Sequence, residues 1–209
     1  MGVQQLDGMV HERTAGCRSD PRMAREPSTG TLCYAPTRER PVLHLGCGKS
    51  GREGCLNVDC VDLPGVDVVW DLNRHPWPFA TGAWQQVIAH HVFEHLDDVV
   101  KAVSELHRIL VPGGRAEIRV PHMAGWGAWN DLTHRHFFTR RSFEYFRRGH
   151  RWNYYYETAF LHVVCRNVFG LGASARFNRL MNPVVNTRLY DWWLWKLIPC
   201  AEVQITLVK

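Results

Sequence analysis

The chain has 209 residues, 45% of them hydrophobic and 22% charged, with a formal net charge of +5. That composition excludes a wholly disordered, collagen-like or coiled-coil protein, and the length fits one main core. No apolar run approaches the roughly 20 residues of a membrane-spanning helix, and the mild, unclustered positive charge disfavours a nucleic-acid partner.

Residues 1–40 carry no sustained hydrophobic period and are rich in Gly, Pro, Ser, Thr and Arg. They read as an arm, flexible or partly docked. The seven cysteines are odd in number and contain no C-x-x-C pair. That argues against a disulfide framework or a zinc ribbon and for a reducing, cytoplasmic setting. The first thirty residues also lack the apolar stretch of a secretory signal.

The domain is expected over 41–209. Val42 to Leu45 reads as a buried strand that stops at the glycine turn Gly46-Cys47-Gly48. Leu56 to Asp59 reads as a second strand, Val66 to Leu72 as a third and Gln86 to His90 as a fourth. Val99, Val103, Leu106 and Leu110 then recur at helical spacing, with Asp97 and Asp98 in the first turn and Pro112-Gly113-Gly114 as the stop. Ala116 to Val120 is a fifth strand. Gly125 to Arg151 is irregular and crowded with Trp, His, Phe and Arg, and 123–152 is read as a substrate lid. Tyr154 to Cys165 and Val203 to Val208 read as two closing strands around an aromatic helical stretch, Arg188 to Ile198. The pattern predicts an α/β fold, a Rossmann-like, mostly parallel sheet with helices on both faces.

In such a sheet ligands bind at the carboxyl ends of the strands. Gly46, Cys47 and Gly48 stand after strand one, Asp59 after strand two, Asp71 and Leu72 after strand three, His90 and His91 after strand four, and His122 after strand five. Glycines let a ligand approach the backbone, and an acid on the next strand can accept from ribose hydroxyls. The ordered set describes an adenosyl ligand lying across the strand tips.

Val42-Leu43-His44-Leu45-Gly46-Cys47-Gly48 resembles motif I of class I S-adenosylmethionine-dependent methyltransferases. His91-Val92-Phe93-Glu94-His95-Leu96 resembles their segment after strand four, and Glu105 to Gly114 resembles their E-x-x-R-v-L-k-P-G-G segment. The likeness covers roughly residues 41–122. It implies S-adenosyl-L-methionine as cofactor. Gly46, Cys47 and Gly48 would line its methionine and ribose side, Asp59 would take the ribose hydroxyls, Asp71 and Leu72 would frame adenine, and His90 would stand beside the sulfonium. Asp131 to Thr139 resembles a variant found in small methyltransferases, some of them near sugar-modifying genes.

One departure is visible. Only 13 positions separate Gly46 from Asp59, against roughly 20 in a dinucleotide fingerprint. A full first helix cannot fit, and the second, between Asp59 and Val66, is also missing. The N-terminal half is therefore reduced, and the arm and Trp77-Pro78-Phe79 are candidates to cover the cofactor.

Methyl transfer to a hydroxyl needs a positioned acceptor and a base. His122, His134 and His91 are the catalytic candidates, in that order, and His136, Arg135, Trp126 and Trp129 are candidates for acceptor binding. Asp131 either orients a histidine or joins the cluster at a metal, and no residue is assigned to a metal. His91, Glu94 and His95 also spell H-x-x-E-H, a zinc pattern that needs a helix. Here it follows a strand, so Glu94 reads as structural, near the next helix's N-terminus. Trp192, Trp193 and Trp195 are candidates for peripheral membrane or subunit contact. The expectation is O-methylation of a small-molecule or glycan acceptor with a histidine base. A non-catalytic adenosyl-binding module and an RNA or N-methyltransferase are the alternatives.

Overall fold

The computed structural model describes residues 23–25, 32–152, 154, 158–170 and 175–209. Among these, β1 (Met23–Arg25) pairs antiparallel with β2 (Leu32–Tyr34). The remaining strands are β3 (Val42–Leu45), β4 (Cys55–Asp59), β5 (Val68–Val69), β6 (Trp84–His90), β7 (Leu110–Pro121), β8 (His162–Val168) and β9 (Glu202–Val208). They form one sheet in the order β5-β4-β3-β6-β7-β9-β8. The five strands from β5 to β7 run parallel, and β9 and β8 close the sheet antiparallel. No helix among the described residues is long and apolar enough to cross a membrane.

The order reverses at β3, which has β4 on one side and β6 on the other. Such a switch point opens a crevice at the strands' carboxyl ends. Register makes this concrete. Leu45 pairs with Val58 and with Ala89, so Gly46, Asp59 and His90 stand side by side at the tips.

Helix α1 (Val99–Ile109) starts where Asp98 caps it, its side chain accepting from Lys101 N at 2.9 Å. Ala102, Val103, Leu106 and Ile109 are its buried stripe. The motif residues Glu105 and Arg108 explain themselves on its outer face. Glu105 Oε2 accepts from Trp77 N at 2.6 Å, while Arg108 donates to Trp77 O, Phe79 O and Thr81 Oγ1 at 2.9–3.0 Å. They staple a strap, residues 77–81, that buries Trp77 and Phe79 beside Trp84. Tyr34 N donates to Pro78 O, and Ala80 N donates to Tyr34 O. The lead-in from residue 32 is thus docked on that strap. Residues 1–22 and 26–31 of the expected arm lie outside the described residues.

Three boundaries differ from the sequence reading. The helix stops at Ile109, before Pro112-Gly113-Gly114, which forms an irregular excursion inside β7 where the register jumps between Trp84 and Gln86. Gly113 takes φ +78°, and a Cβ on Gly114 would stand 2.9 Å from Val111 O, so glycine lets the chain leave the helix directly into the sheet. The third strand shrinks to Val68–Val69, with single hydrogen bonds continuing on either side at Asp67 and Trp70. The strand placed at Tyr154 to Cys165 begins only at His162.

The reduced first half folds as expected, by turns. Ser50 N donates to Cys47 O and Cys55 N to Arg52 O. Buried Asn57 takes the missing helix's place as an anchor. Its Oδ1 accepts from Arg52 N at 2.9 Å and its Nδ2 donates to Arg52 O at 3.0 Å.

Candidate active site at the strand tips and beneath the lid

Gly46 leaves β3 at φ +61°, and a Cβ there would meet Val92 Cγ2 at 2.2 Å. Only glycine satisfies both demands. Gly48 follows at φ +52° with nothing within 4 Å of where its Cβ would point, so this face of the backbone is open. Asp59 closes the turn from the adjoining tip. Its Oδ2 accepts from Gly48 N at 2.7 Å and its Oδ1 from Val61 N at 3.1 Å. Asp59 and Asp71 both bear on the exposed Cys60 thiol, whose pKa is raised first by burial and then by these carboxylates. Asp71 is exposed and Leu72 buried, its carbonyl accepting from Trp77 Nε1 at 2.9 Å. Cys47 is buried, and burial pushes its thiol pKa up, against a nucleophilic role.

Beyond Gly48, exposed Arg52 reaches across the tips, its Nη2 3.3 Å from His90 Nδ1. Burial, then Arg119 and Arg52, hold His90 down at about 4, so this imidazole is neutral. Sequence reasoning missed Arg52, because an isolated arginine in a short loop carries no pattern. The open glycine backbone, the tip carboxylate and the pendant arginine suit an adenosyl amino acid, which offers a ribose diol and a carboxylate.

A cavity of about 1030 Å³ lies on the other side of His91. His91 adopts φ +54°, a sparsely populated conformation for a residue with a side chain. The turn places its ring between two buried carboxylates, with Nδ1 3.3 Å from Glu94 Oε1 and Nε2 3.6 Å from Glu202 Oε2. Contacts with Glu202 and then Glu94 raise its pKa to about 9. It is a cation at neutral pH, and a donor rather than a base. Glu94 lies in a 3-10 turn, Phe93–His95, and is one of the residues lining the cavity. Glu94 is thus both near the start of the next helix and among the residues around the cavity.

Segment 123–152, expected to be a lid, is tied to that turn. Arg135 N and His136 N donate to Glu94 O, and the Arg135 guanidinium pairs with Asp97. His134 lines the cavity, and its Nδ1 is 2.9 Å from Ala128 O. A carbonyl can only accept, so Nδ1 carries a proton, and in the neutral ring the lone pair is on Nε2, 3.9 Å from Asp131 Oδ2. His95 Nδ1 is 2.9 Å from Thr133 Oγ1, which itself donates to Asp131 Oδ1 at 2.6 Å. His95 Nε2 is likewise left with a lone pair. Glu94, His95 and His134 each offer a ligand atom within 4.8 Å of the others. Trp126 stands at the cavity wall, 78% exposed.

His91, His134 and Trp126 are thus brought together, and four other expected residues are not. His122 is buried beside Tyr190 in a separate small cavity, and its Nδ1 accepts from Ala124 N at 3.0 Å. Its lone pair is engaged, and burial lowers its pKa to about 4. Trp129 stacks on Phe137 at 4.1 Å and donates to Met123 O. Arg135 is ion-paired, and His136 does not line the cavity. Trp195 packs against Val185, Tyr190 and Cys200, whereas Trp192 and Trp193 are exposed.

Comparisons with known proteins bear on this arrangement. A family model described as "Methyltransferase domain" matches residues 22–149, more than half of the chain. No curated protein matches. Among solved structures, a SAM-dependent methyltransferase from Archaeoglobus fulgidus is 17% identical, with a TM-score of 0.54 over 82% of this chain and 87% of that one. One from Thermotoga maritima, titled a possible histamine N-methyltransferase, is 14% identical, with a TM-score of 0.50 over 83% of both chains. At these identities the likeness is one of fold.

Proposed function

The chain belongs to the methyltransferase domain family, S-adenosylmethionine-dependent transferases of Rossmann-like fold, and from that premise we propose that it methylates a hydroxyl of a small-molecule or glycan acceptor seated beneath the lid. The observation that carries this reading is the cavity of about 1030 Å³, which has a histidine lone pair on its wall and a neighbouring cation that cannot act as base.

The strand tips hold the cofactor in this reading. Gly46, Cys47 and Gly48 pass under its methionine and ribose, Asp59 accepts from the ribose hydroxyls, Asp71 and Leu72 flank adenine, and His90 faces the sulfonium side. Arg52, held by Asn57, pairs with the methionine carboxylate, a charge-assisted contact that the missing first helix would otherwise supply. Bound there, S-adenosylmethionine supplies an electrophilic methyl group.

Residues 41–209 act as one catalytic domain and 123–152 as its lid. Trp126 offers an apolar face on which a sugar ring can stack. His134 activates the acceptor hydroxyl, because its Nε2 lone pair lines the cavity while that of His122 is engaged by backbone. His91, with one ring nitrogen toward Glu94 and the other toward Glu202, is the cation that partly offsets their charge at the cavity wall. Exposed Trp192 and Trp193, beside Arg188 and Lys196, support peripheral contact with an anionic lipid surface. The odd cysteine count supports a cytoplasmic setting.

The test is a screen of sugars, nucleotide sugars and small alcohols with labelled cofactor, reading S-adenosylhomocysteine release and the methyl linkage by NMR. An O-methyl product is expected. An N-methyl product overturns the acceptor class. Cofactor binding with no release for any acceptor favours a non-catalytic module.

A further inference from the structure

Three potential ligands meet at the cavity wall from two separate stretches of chain. Glu94 and His95 come from the turn after β6, and His134 comes from the lid. Four features distinguish them from an ordinary polar cluster.

First, Glu94 is fully buried, yet neither carboxylate oxygen accepts a hydrogen bond from the described residues. His91 Nδ1 stands 3.3 Å from Oε1 as its charged partner, so the oxygen left without any partner is Oε2. A buried polar group left this way calls for a partner. Second, both histidines have Nδ1 occupied, by Ala128 O and by Thr133 Oγ1. Imidazoles that ligate metals are held in this way, with the far nitrogen donating to an oxygen and the near one free. Third, the support reaches a further layer, since Asp131 Oδ1 accepts from both Thr133 N and Thr133 Oγ1. Fourth, all three ligands face a roomy cavity, which leaves coordination positions open to a small molecule.

We propose that Glu94, His95 and His134 bind a divalent transition-metal ion, zinc(II) being the model, with an open position that takes the acceptor's hydroxyl oxygen. Two imidazoles and one carboxylate with a vacant position form the donor set of catalytic rather than structural zinc. The inference rests on the cavity being the acceptor site and deepens the part assigned to His134. Its lone pair would then hold the ion instead of taking the hydroxyl proton itself, and the ion would lower the hydroxyl's pKa so that the proton leaves to solvent. Asp131, which the sequence reading placed either beside a histidine or on a metal, takes the former part and orients His95 through Thr133. Read as linear sequence, H-x-x-E-H suggested His91 and His95 as the pair. The fold engages the two ring nitrogens of His91 with Glu94 and Glu202 and brings in His134 from 123–152 as the second histidine.

The test uses the full chain stripped with a chelator and titrated with Zn²⁺ alone, without cofactor or acceptor. One equivalent should bind. Co²⁺ in its place should give visible d–d absorption with no thiolate-to-cobalt charge-transfer band, which separates this site from the cysteines. Glu94→Gln and His134→Ala should abolish the uptake and still bind S-adenosylhomocysteine. Thr133→Val keeps all three ligands and should weaken Zn²⁺ binding roughly tenfold or more. It therefore reads the site even if the Glu94 variant does not fold. The proposal is overturned if stripped wild-type chain that binds S-adenosylhomocysteine takes up no stoichiometric Zn²⁺. A thiolate band, or uptake unchanged in the His134 and Thr133 variants, overturns it equally. Failure of S-adenosylhomocysteine to bind is a separate result and bears on the cofactor reading alone.

Discussion

The two sides of His91 are built on different principles. On the strand-tip side the chain presents backbone. Gly46 and Gly48 take left-handed conformations, and Asp59 is held by the amides of Gly48 and Val61. On the lid side it presents side chains gathered from distant stretches: His91 and Glu94 after β6, His134 from the lid, and Glu202 at the start of β9. Backbone geometry is written locally, because a turn at φ near +60° accepts little but glycine. A side-chain constellation depends on how the whole sheet closes, and its members carry no common period. A shared cofactor suits the first kind of construction, and an acceptor particular to one enzyme suits the second.

Substitutions on the two sides should therefore fail differently. The largest effect is expected from His134→Ala, which should lower turnover on the order of a hundredfold or more while cofactor affinity stays unchanged. Kinetics paired with calorimetry check this, and a matching loss of cofactor affinity would erase the distinction between the sides. Gly46→Ala should act through the fold instead. The added methyl meets Val92 Cγ2 at 2.2 Å at a positive φ, which should cost about 3 kcal/mol in denaturant unfolding. Loss of activity without loss of stability would contradict that account.

His122 marks the border, and its signature is a pH dependence. Tyr190, Asp191 and Arg141 share its small cavity, and burial holds its pKa down at about 4. The unfolded chain binds the proton near pH 6.5 and the folded chain does not. This group's contribution is therefore complete above pH 6.5 and is lost as pH falls toward 4. The loss should be on the order of 2 kcal/mol, and His122→Gln should flatten it in urea titrations across that window. The smallest effect is expected at Arg52. Arg52→Met should weaken S-adenosylhomocysteine about tenfold, or ~1.4 kcal/mol, and leave stability unchanged. Unchanged affinity would remove Arg52 from the carboxylate.

The same contrast governs what could be read from the amino acids alone. The tip residues Gly46, Gly48, Asp59 and His90 were legible because strand ends are local and a parallel sheet sets them in line. The absence of two helices was legible from spacing. The close of α1 at Ile109 was not, because Pro112-Gly113-Gly114 stops a helix and shapes a strand equally well. In 123–152 and its surroundings, sequence groups the histidines but does not say which nitrogens the backbone engages. His122 stands at a strand tip, yet the Ala124 amide takes its lone pair. Glu94 reads as an acid near a helix start, and only the folded turn sets it among the residues around the cavity. Glu202 had no motif at all. It reaches His91 because β9 pairs with β7, more than 80 residues earlier in the chain.

The central claim is that the tips of β3 and β4 cradle an adenosyl cofactor independently of the lid. Titration of S-adenosylhomocysteine into wild type, Asp59→Ala and His134→Ala by calorimetry addresses it most directly. One site per chain should appear in wild type and in His134→Ala, and heat should vanish in a folded Asp59→Ala protein. Undiminished binding by that Asp59 variant, or its disappearance on changing His134 instead, would contradict the account.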